Sequence, residues 1–196
     1  MESINEICGI KAVLNNKVTG ERPGFLSEEE VKGVRKFHAT IEGYKPTPLV
    51  RLECLAEKLC VSRIYVKDES KRFGLNAFKG LGATYAIAKL VCEKLEVDIE
   101  KIDYNYFKLP EVKKKIKDMV FVTATDGNHG RAVAWASAQL GCSSIVYMPK
   151  GSSLRRLQHI KDTGADAFIT DVNYDDTVKL AKQKAAEIGG TLVQDT

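Results

Sequence analysis

Val120-Phe121-Val122-Thr123-Ala124-Thr125-Asp126-Gly127-Asn128-His129-Gly130 is the stretch on which the fold turns. Val120 to Val122 read as a strand, the polar residues around Gly127 as a loop, and Gly130 opens a helical pattern that continues to Leu140. The alternation repeats downstream. Residues 144–148, 167–169 and 191–193 read as strands, and residues 153–162 and 175–188 as helices. Short apolar strands alternating with helices point to βα units and a parallel sheet covered on both faces, an α/β fold. In such sheets ligands sit outside the carboxyl ends of the strands, and residues 123–130 occupy that position. The repetition is architectural only; no sequence repeat accompanies it.

Upstream, Ser27-Glu28-Glu29-Glu30 has the form of a capping box, with serine at the cap and glutamate three residues later. The helix it opens carries Val31, Val34, Phe37 and Ile41, and Pro46 and Pro48 stop it. A short helix over 53–59, a strand at Ile64-Tyr65-Val66, a polar loop over 67–76 and a long helix from about 77 to 95 follow. Residues 1–24 show little periodicity and read as an arm or loop. Residues 98–118 are charged and irregular, with Pro110 opening a helix at Glu111.

Composition bounds the possibilities. The chain has 196 residues, a net charge of +4, 44% hydrophobic and 29% charged residues. These ordinary globular values exclude a disordered tail, a collagen-like repeat and a disulfide scaffold. The charge is too weak to argue for nucleic acid. No apolar run approaches the ~18 residues of a membrane span. Glu2 and Glu6 speak against a secretory signal. Cys8, Cys54, Cys60, Cys92 and Cys142 are odd in number and lack C-x-x-C spacing, so no metal site is expected and they read as free buried thiols in a cytoplasmic protein.

Two loops carry unusual chemistry. In Asn76-Ala77-Phe78-Lys79-Gly80, Lys79 falls in the first turn of a helix, the unfavourable end for a cation in the helix dipole. A neutral or imine-bound amine escapes that penalty, so a Schiff-base lysine makes sense there. Gly80 and Gly82 cost that turn ~1 kcal/mol each and let something approach the backbone. The second loop, residues 123–130, joins a strand to a helix start and suits an anion or a cofactor. It is not the G-x-x-x-x-G-K-[ST] of a P-loop, nor is it G-x-G-x-x-G, which disfavours a dinucleotide. Asp126 could act as a base and Asn128 could bond a ring hydroxyl, or both could cap the helix. His129 reads as a structural hydrogen-bonding group, His38 and His159 as surface residues, and Trp135 as core. Lys113, Lys114, Lys115 and Lys117 read as a solvated helix face, as do Arg155 and Arg156.

Together, A-F-K-G-L-G-A at 77–83, T-D-G-N-H-G at 125–130 and Pro46-Thr47-Pro48-Leu49 resemble the fold type II enzymes that use pyridoxal phosphate. The likeness sharpens over nearly the whole chain. Residues 68–79, Thr125 to Arg131, Tyr147-Met148-Pro149-Lys150-Gly151, residues 173–178 and Val193-Gln194-Asp195-Thr196 are similar to the diaminopropionate ammonia-lyase family. The resemblance implies a three-layer parallel-sheet fold like that of the tryptophan synthase β chain. Residues 1–90 would be the N-terminal part of a large cofactor domain, and 91–196 a near-complete small βα domain. It also implies that Lys79 forms the internal aldimine with pyridoxal phosphate, that Phe78 lies beside the cofactor, and that Asn128 bonds its phenolic oxygen. The substrate would be 2,3-diaminopropionate, a small amino acid. Asp126 would take the α-proton from one enantiomer and Asp195 from the other, with pyruvate and ammonia as products.

Family members run on well past the equivalent of residue 196, where the resemblance places the phosphate-gripping glycine loop. The expectation is therefore a truncated lyase that binds the cofactor weakly alone, or a split enzyme needing a C-terminal half, with homodimerisation as a further possibility. Two other readings stand beside it: a serine or threonine dehydratase, against which Asp126 in place of the usual serine argues, and a non-catalytic interaction module.

Overall fold

The structure, a computed structural model, describes residues 4–7, 10–13, 20, 23–24 and 27–195. Cys8 and Thr196 lie outside the described residues. The chain divides into two compact units, residues 1–34 and 35–196. In the first, β1 (Ile4–Ile7) pairs antiparallel with β2 (Ile10–Val13), with Ile4 opposite Val13. The sequence reading expected an arm or loop here. Its apolar residues recur every third position rather than every second, so no strand alternation is visible. Half of the capping box forms: the Glu30 amide donates to Ser27 Oγ at 3.2 Å at the head of α1 (Glu28–Ala39), while the Ser27 amide donates to the Gly24 carbonyl at 3.1 Å.

The second unit is built on a four-stranded, all-parallel sheet in the order β7-β6-β5-β8. Its strands are β5 (Val120–Ala124), β6 (Ser143–Met148), β7 (Asp166–Ile169) and β8 (Thr191–Leu192). The helices between them are α5 (Asn128–Leu140), α6 (Leu154–Lys161) and α7 (Tyr174–Ile188). Successive strand residues point to opposite faces, and the core divides accordingly. Val122, Ala124 and Ile145 pack with Ala181 and Ala185 of α7. Val146 and Met148 pack with Ala134 of α5 and Ile160 of α6. Phe121 joins the largest cluster, where α3 (Lys79–Leu95) lies over α5 and α4 (Pro110–Ile116) closes the end through Val112 and Ile116. Helices thus cover both faces of the sheet, the three-layer α/β architecture expected. Lys113, Lys114, Lys115 and Lys117 are exposed as expected. Among the described residues no helix is long and apolar enough to cross a membrane.

Two strands outside this sheet form their own pair. β3 (Leu49–Arg51) runs antiparallel to β4 (Tyr65–Lys67), flanking α2 (Glu53–Lys58). β3 was not anticipated, because three residues after two prolines give no periodic signal. The segment is anchored by a polar knot. Arg72, only 4% exposed, donates from Nε to Glu69 Oε2 at 2.8 Å and from Nη1 to the Lys45 carbonyl at 2.9 Å. Thr47 and Lys67 also bond Glu69. The Arg72 bond, helped by Thr47 and Lys67, holds the Glu69 carboxyl at about 2 against the upward push of burial.

His38 corrects the expectation of a surface histidine. It is 6% exposed, its ring stacks on Tyr44, and Nε2 bonds the Leu81 carbonyl at 2.9 Å. Burial pushes the imidazole below its ordinary 6.5, with the Arg72 charge adding to the effect and the Leu81 bond opposing it. The neutral form is therefore favoured in the fold. Its stabilisation is complete above about 6.5 and is lost as pH falls through the lowered value. We expect the urea midpoint to fall between pH 7.5 and 5.5, and His38→Gln to flatten that slope; an unchanged slope in the variant assigns the effect elsewhere. Cys54 and Cys60 also differ from expectation, being exposed, whereas burial raises Cys92 and Cys142 to about 11.

Candidate active site

Lys79 is the first residue of α3, two residues later than the expected start. Phe78, before it, offers no side-chain cap. The unfavourable dipole is met by charge: Lys79 Nζ pairs directly with the Asp195 carboxylate, 116 residues away in sequence. Nζ also lies 5.4 Å from the centre of the Phe78 ring. Both charged side chains are about one-third exposed, at 30% and 32%. They open onto a cavity of about 310 Å³, lined also by Phe78, Gly82, Ala83, Ala86, His129, Val193 and Gln194.

Asp195 is delivered by the segment after β8, and two side chains tie that segment down. His129 Nε2 meets the Val193 carbonyl at 3.0 Å. A carbonyl only accepts, so Nε2 carries the proton and Nδ1, 3.8 Å from Asp195, faces the carboxylate. Gln194 reaches the Ala124 amide and carbonyl at 3.5 and 3.4 Å and the Tyr174 hydroxyl at 3.1 Å. His129 thus makes the structural bond expected of it. Gln194 was not singled out, since a glutamine beyond a strand carries no signal of its own.

The loop over 123–130 divides its residues. The capping role weighed for Asp126 and Asn128 belongs to Thr125, whose Oγ1 accepts from the Gly127 and Gly130 amides at 3.0 and 3.1 Å. Asp126 and Asn128 are exposed, neither lines the cavity, and neither side chain is hydrogen-bonded to any described residue. Arg156 Nη1 holds the Asp126 carbonyl at 3.1 Å. Of the sequence-predicted residues, the structure brings Lys79, Phe78 and Asp195 together and leaves Asp126 and Asn128 on the open side of the loop that supplies His129. Gly80 is needed by its own neighbours: an added Cβ would lie 2.9 Å from Leu75 Cδ1. At Gly82 nothing lies within 4 Å of that position. Trp135 stacks on Phe73 with ring centres 4.9 Å apart, in agreement with a packing role.

Comparison with known proteins bears on this geometry. The chain is 50% identical over 182 residues to a diaminopropionate ammonia-lyase of Escherichia coli strain K12, covering 93% of this chain and 45% of that protein. A crystal structure of the Escherichia coli enzyme in complex with D-serine superposes with a TM-score of 0.84 at 51% identity, over 90% of this chain and 44% of the other. A biosynthetic L-threonine dehydratase of Salmonella typhimurium is 29% identical over 147 residues, 75% of this chain and 23% of that protein. The chain therefore spans less than half the length of these curated relatives. The family described as "Pyridoxal-phosphate dependent enzyme" matches residues 41–196. With that match over most of its length, and a lysine amine at the head of a helix in a cavity of ligand size, the chain belongs to the family of pyridoxal-phosphate dependent enzymes.

Proposed function

We propose that this chain serves a lyase that eliminates ammonia from 2,3-diaminopropionate, yielding pyruvate and a second ammonia. The observation that carries this reading is the Lys79 amine, held by Asp195 in the cavity at the head of α3. The surroundings fit pyridoxal phosphate. The volume of about 310 Å³ lies at the lower end for ligand sites. Gly82 leaves open space there, and the Phe78 ring is 60% exposed beside the amine. When bound, the cofactor supplies an electron sink for the charge left at the substrate α-carbon.

The chain's own residues divide the remaining work. With the cofactor bound, Lys79 Nζ would hold its aldehyde carbon and Phe78 would lie beside it, while Asn128, on the adjoining loop outside the cavity lining, would bond its phenolic oxygen. Asp126 and Asp195 take the α-proton from opposite enantiomers, a contribution of about 10²–10⁴-fold for general bases of this kind. His129 and Gln194 hold the backbone that carries Asp195. In this reading the enzyme works in the cytoplasm as a homodimer, or together with the part of the relatives outside the aligned residues. The dehydratase reading is weaker, because Asp126 stands where such enzymes usually carry serine and the identity to the dehydratase is 29% against 50%.

The test is ammonia release from D- and L-2,3-diaminopropionate and from L-threonine. It is run with the cofactor-loaded chain, alone and with the C-terminal part of the Escherichia coli enzyme added. Turnover of diaminopropionate is expected, with Asp126→Asn losing one enantiomer and Asp195→Asn the other by about 10²–10⁴-fold. Faster turnover of threonine than of either diaminopropionate would overturn the assignment.

A further inference from the structure

The four residues that lead into the Lys79 turn have unusual backbone. Phe73, Gly74 and Asn76 all have positive φ, at 47°, 70° and 58°, and two of the three are not glycine. Side-chain-bearing residues reach this region at a cost, so the conformation persists only where its surroundings over-determine it. One helix, α5, makes the polar contacts that hold the loop's backbone. Arg131, one turn into α5, donates from Nη1 to the Leu75 carbonyl at 3.1 Å and from Nη2 to the Gly74 carbonyl at 3.2 Å. Trp135, four residues on and so on the same helix face, stacks on Phe73. The Arg131 Nε is buried with no hydrogen-bond partner among the described residues. One guanidinium thus bridges two successive carbonyls of the left-handed loop, a span that its planar fork fits.

The grip is passed to Lys79 by contact. Phe73 and Leu75 project onto Gly80, where an added Cβ would sit 3.2 Å from Phe73 Cδ2 and 2.9 Å from Leu75 Cδ1. Gly80 follows Lys79 in the same helical turn. A continuous path thus runs from Arg131, through the two carbonyls and two side chains, to the turn that aims Nζ at Asp195. The same α5 begins at the loop that carries Asp126 and Asn128. We infer that Arg131 is a positioning residue that clamps the left-handed loop to α5 and so sets the placement of the Lys79 amine. The inference rests on the reading of Lys79 as the cofactor-holding lysine.

The experiment is reductive trapping of pyridoxal phosphate on the full chain with borohydride. Mass spectrometry reads the rate of labelling at Lys79 relative to the exposed Lys113 of the same molecules. Arg131→Met is expected to lower the ratio about tenfold, since small misplacements of a reacting group are costly. Arg131→Lys, which keeps the charge but cannot span both carbonyls, is expected to recover part of it. Val112→Ala, a core truncation in α4, provides the purely structural comparison: it should lower the melting temperature and leave the ratio alone. A wild-type ratio in Arg131→Met overturns the inference, and if that variant does not fold, a wild-type ratio in Arg131→Lys does so. Absence of preferred labelling at Lys79 in the wild-type chain overturns the functional reading instead, so the two failures are distinct.

Discussion

Lys79→Ala is expected to abolish site-specific attachment of pyridoxal phosphate and, with it, any ammonia release. Among the described residues no other lysine lines the cavity. Neighbouring groups cannot substitute, because Asp195, His129 and Gln194 offer no amine of the required kind. The fold should survive. The Lys79–Asp195 pair is about one-third exposed, so losing it costs about 0–1 kcal/mol after solvent screening. A melting curve within a few degrees of wild type, together with complete loss of the borohydride-trapped adduct at position 79, is the result that separates chemistry from stability. Residual ammonia release from diaminopropionate at even a tenth of the wild-type rate would show that another group holds the cofactor.

Gly130→Ala is expected to be strongly destabilising. Its Cβ would fall 2.2 Å from Thr125 Cγ2 and 2.7 Å from Val146 Cγ1. Both neighbours are buried and β-branched, so neither can swing aside as a flexible side chain would. Overpacking of this kind costs about 1–3 kcal/mol. Displacing Thr125 would also break its bonds to the Gly127 and Gly130 amides, at about 1 kcal/mol each. Against this stands the ~1 kcal/mol by which alanine outranks glycine in a helix. The net loss is about 3 kcal/mol, or about 6–12 °C in melting temperature for a chain of this size. Gly82→Ala is the internal contrast. With nothing within 4 Å of its Cβ, it should hold or gain stability while filling the cavity. Equal melting temperatures for the two variants would show that the strand-to-helix junction is looser than described.

The βα alternation from Val120 onward was legible because each strand is a short apolar run and each helix has an apolar face, so element type followed from periodicity within a residue or two at the ends. β1, β2 and β3 were not legible, since none of them alternates. His38 could have been found: it stands at i+4 from Val34 and i+1 from Phe37, inside the apolar stripe of α1, and a helix-face count would have buried it. The site divides in the same way. Lys79 was visible as a cation at the wrong end of a helix, followed by Gly80 and Gly82 in its first turn. Asp195 was not reachable by spacing, because only the sheet brings residue 195 beside residue 79, and it entered through family resemblance alone. Thr125 and Arg131 escaped because their roles are carried by distances across two loops, which sequence order does not express.

The attachment of Asp195 has a consequence for how long the site stays formed. The carboxylate follows β8, a strand of two residues that pairs with β5 along one side, and its continuation is held by one bond from His129, three from Gln194 and one from the Val193 amide to the Val122 carbonyl. So small a set of bonds opens far more often than the central strands. The lifetime of the charged pair at Lys79 is therefore set by the breathing of this edge rather than by the stability of the whole fold. Amide exchange at Val193 and Gln194 would run as a clock for the site, well ahead of exchange at Val122 or Val146.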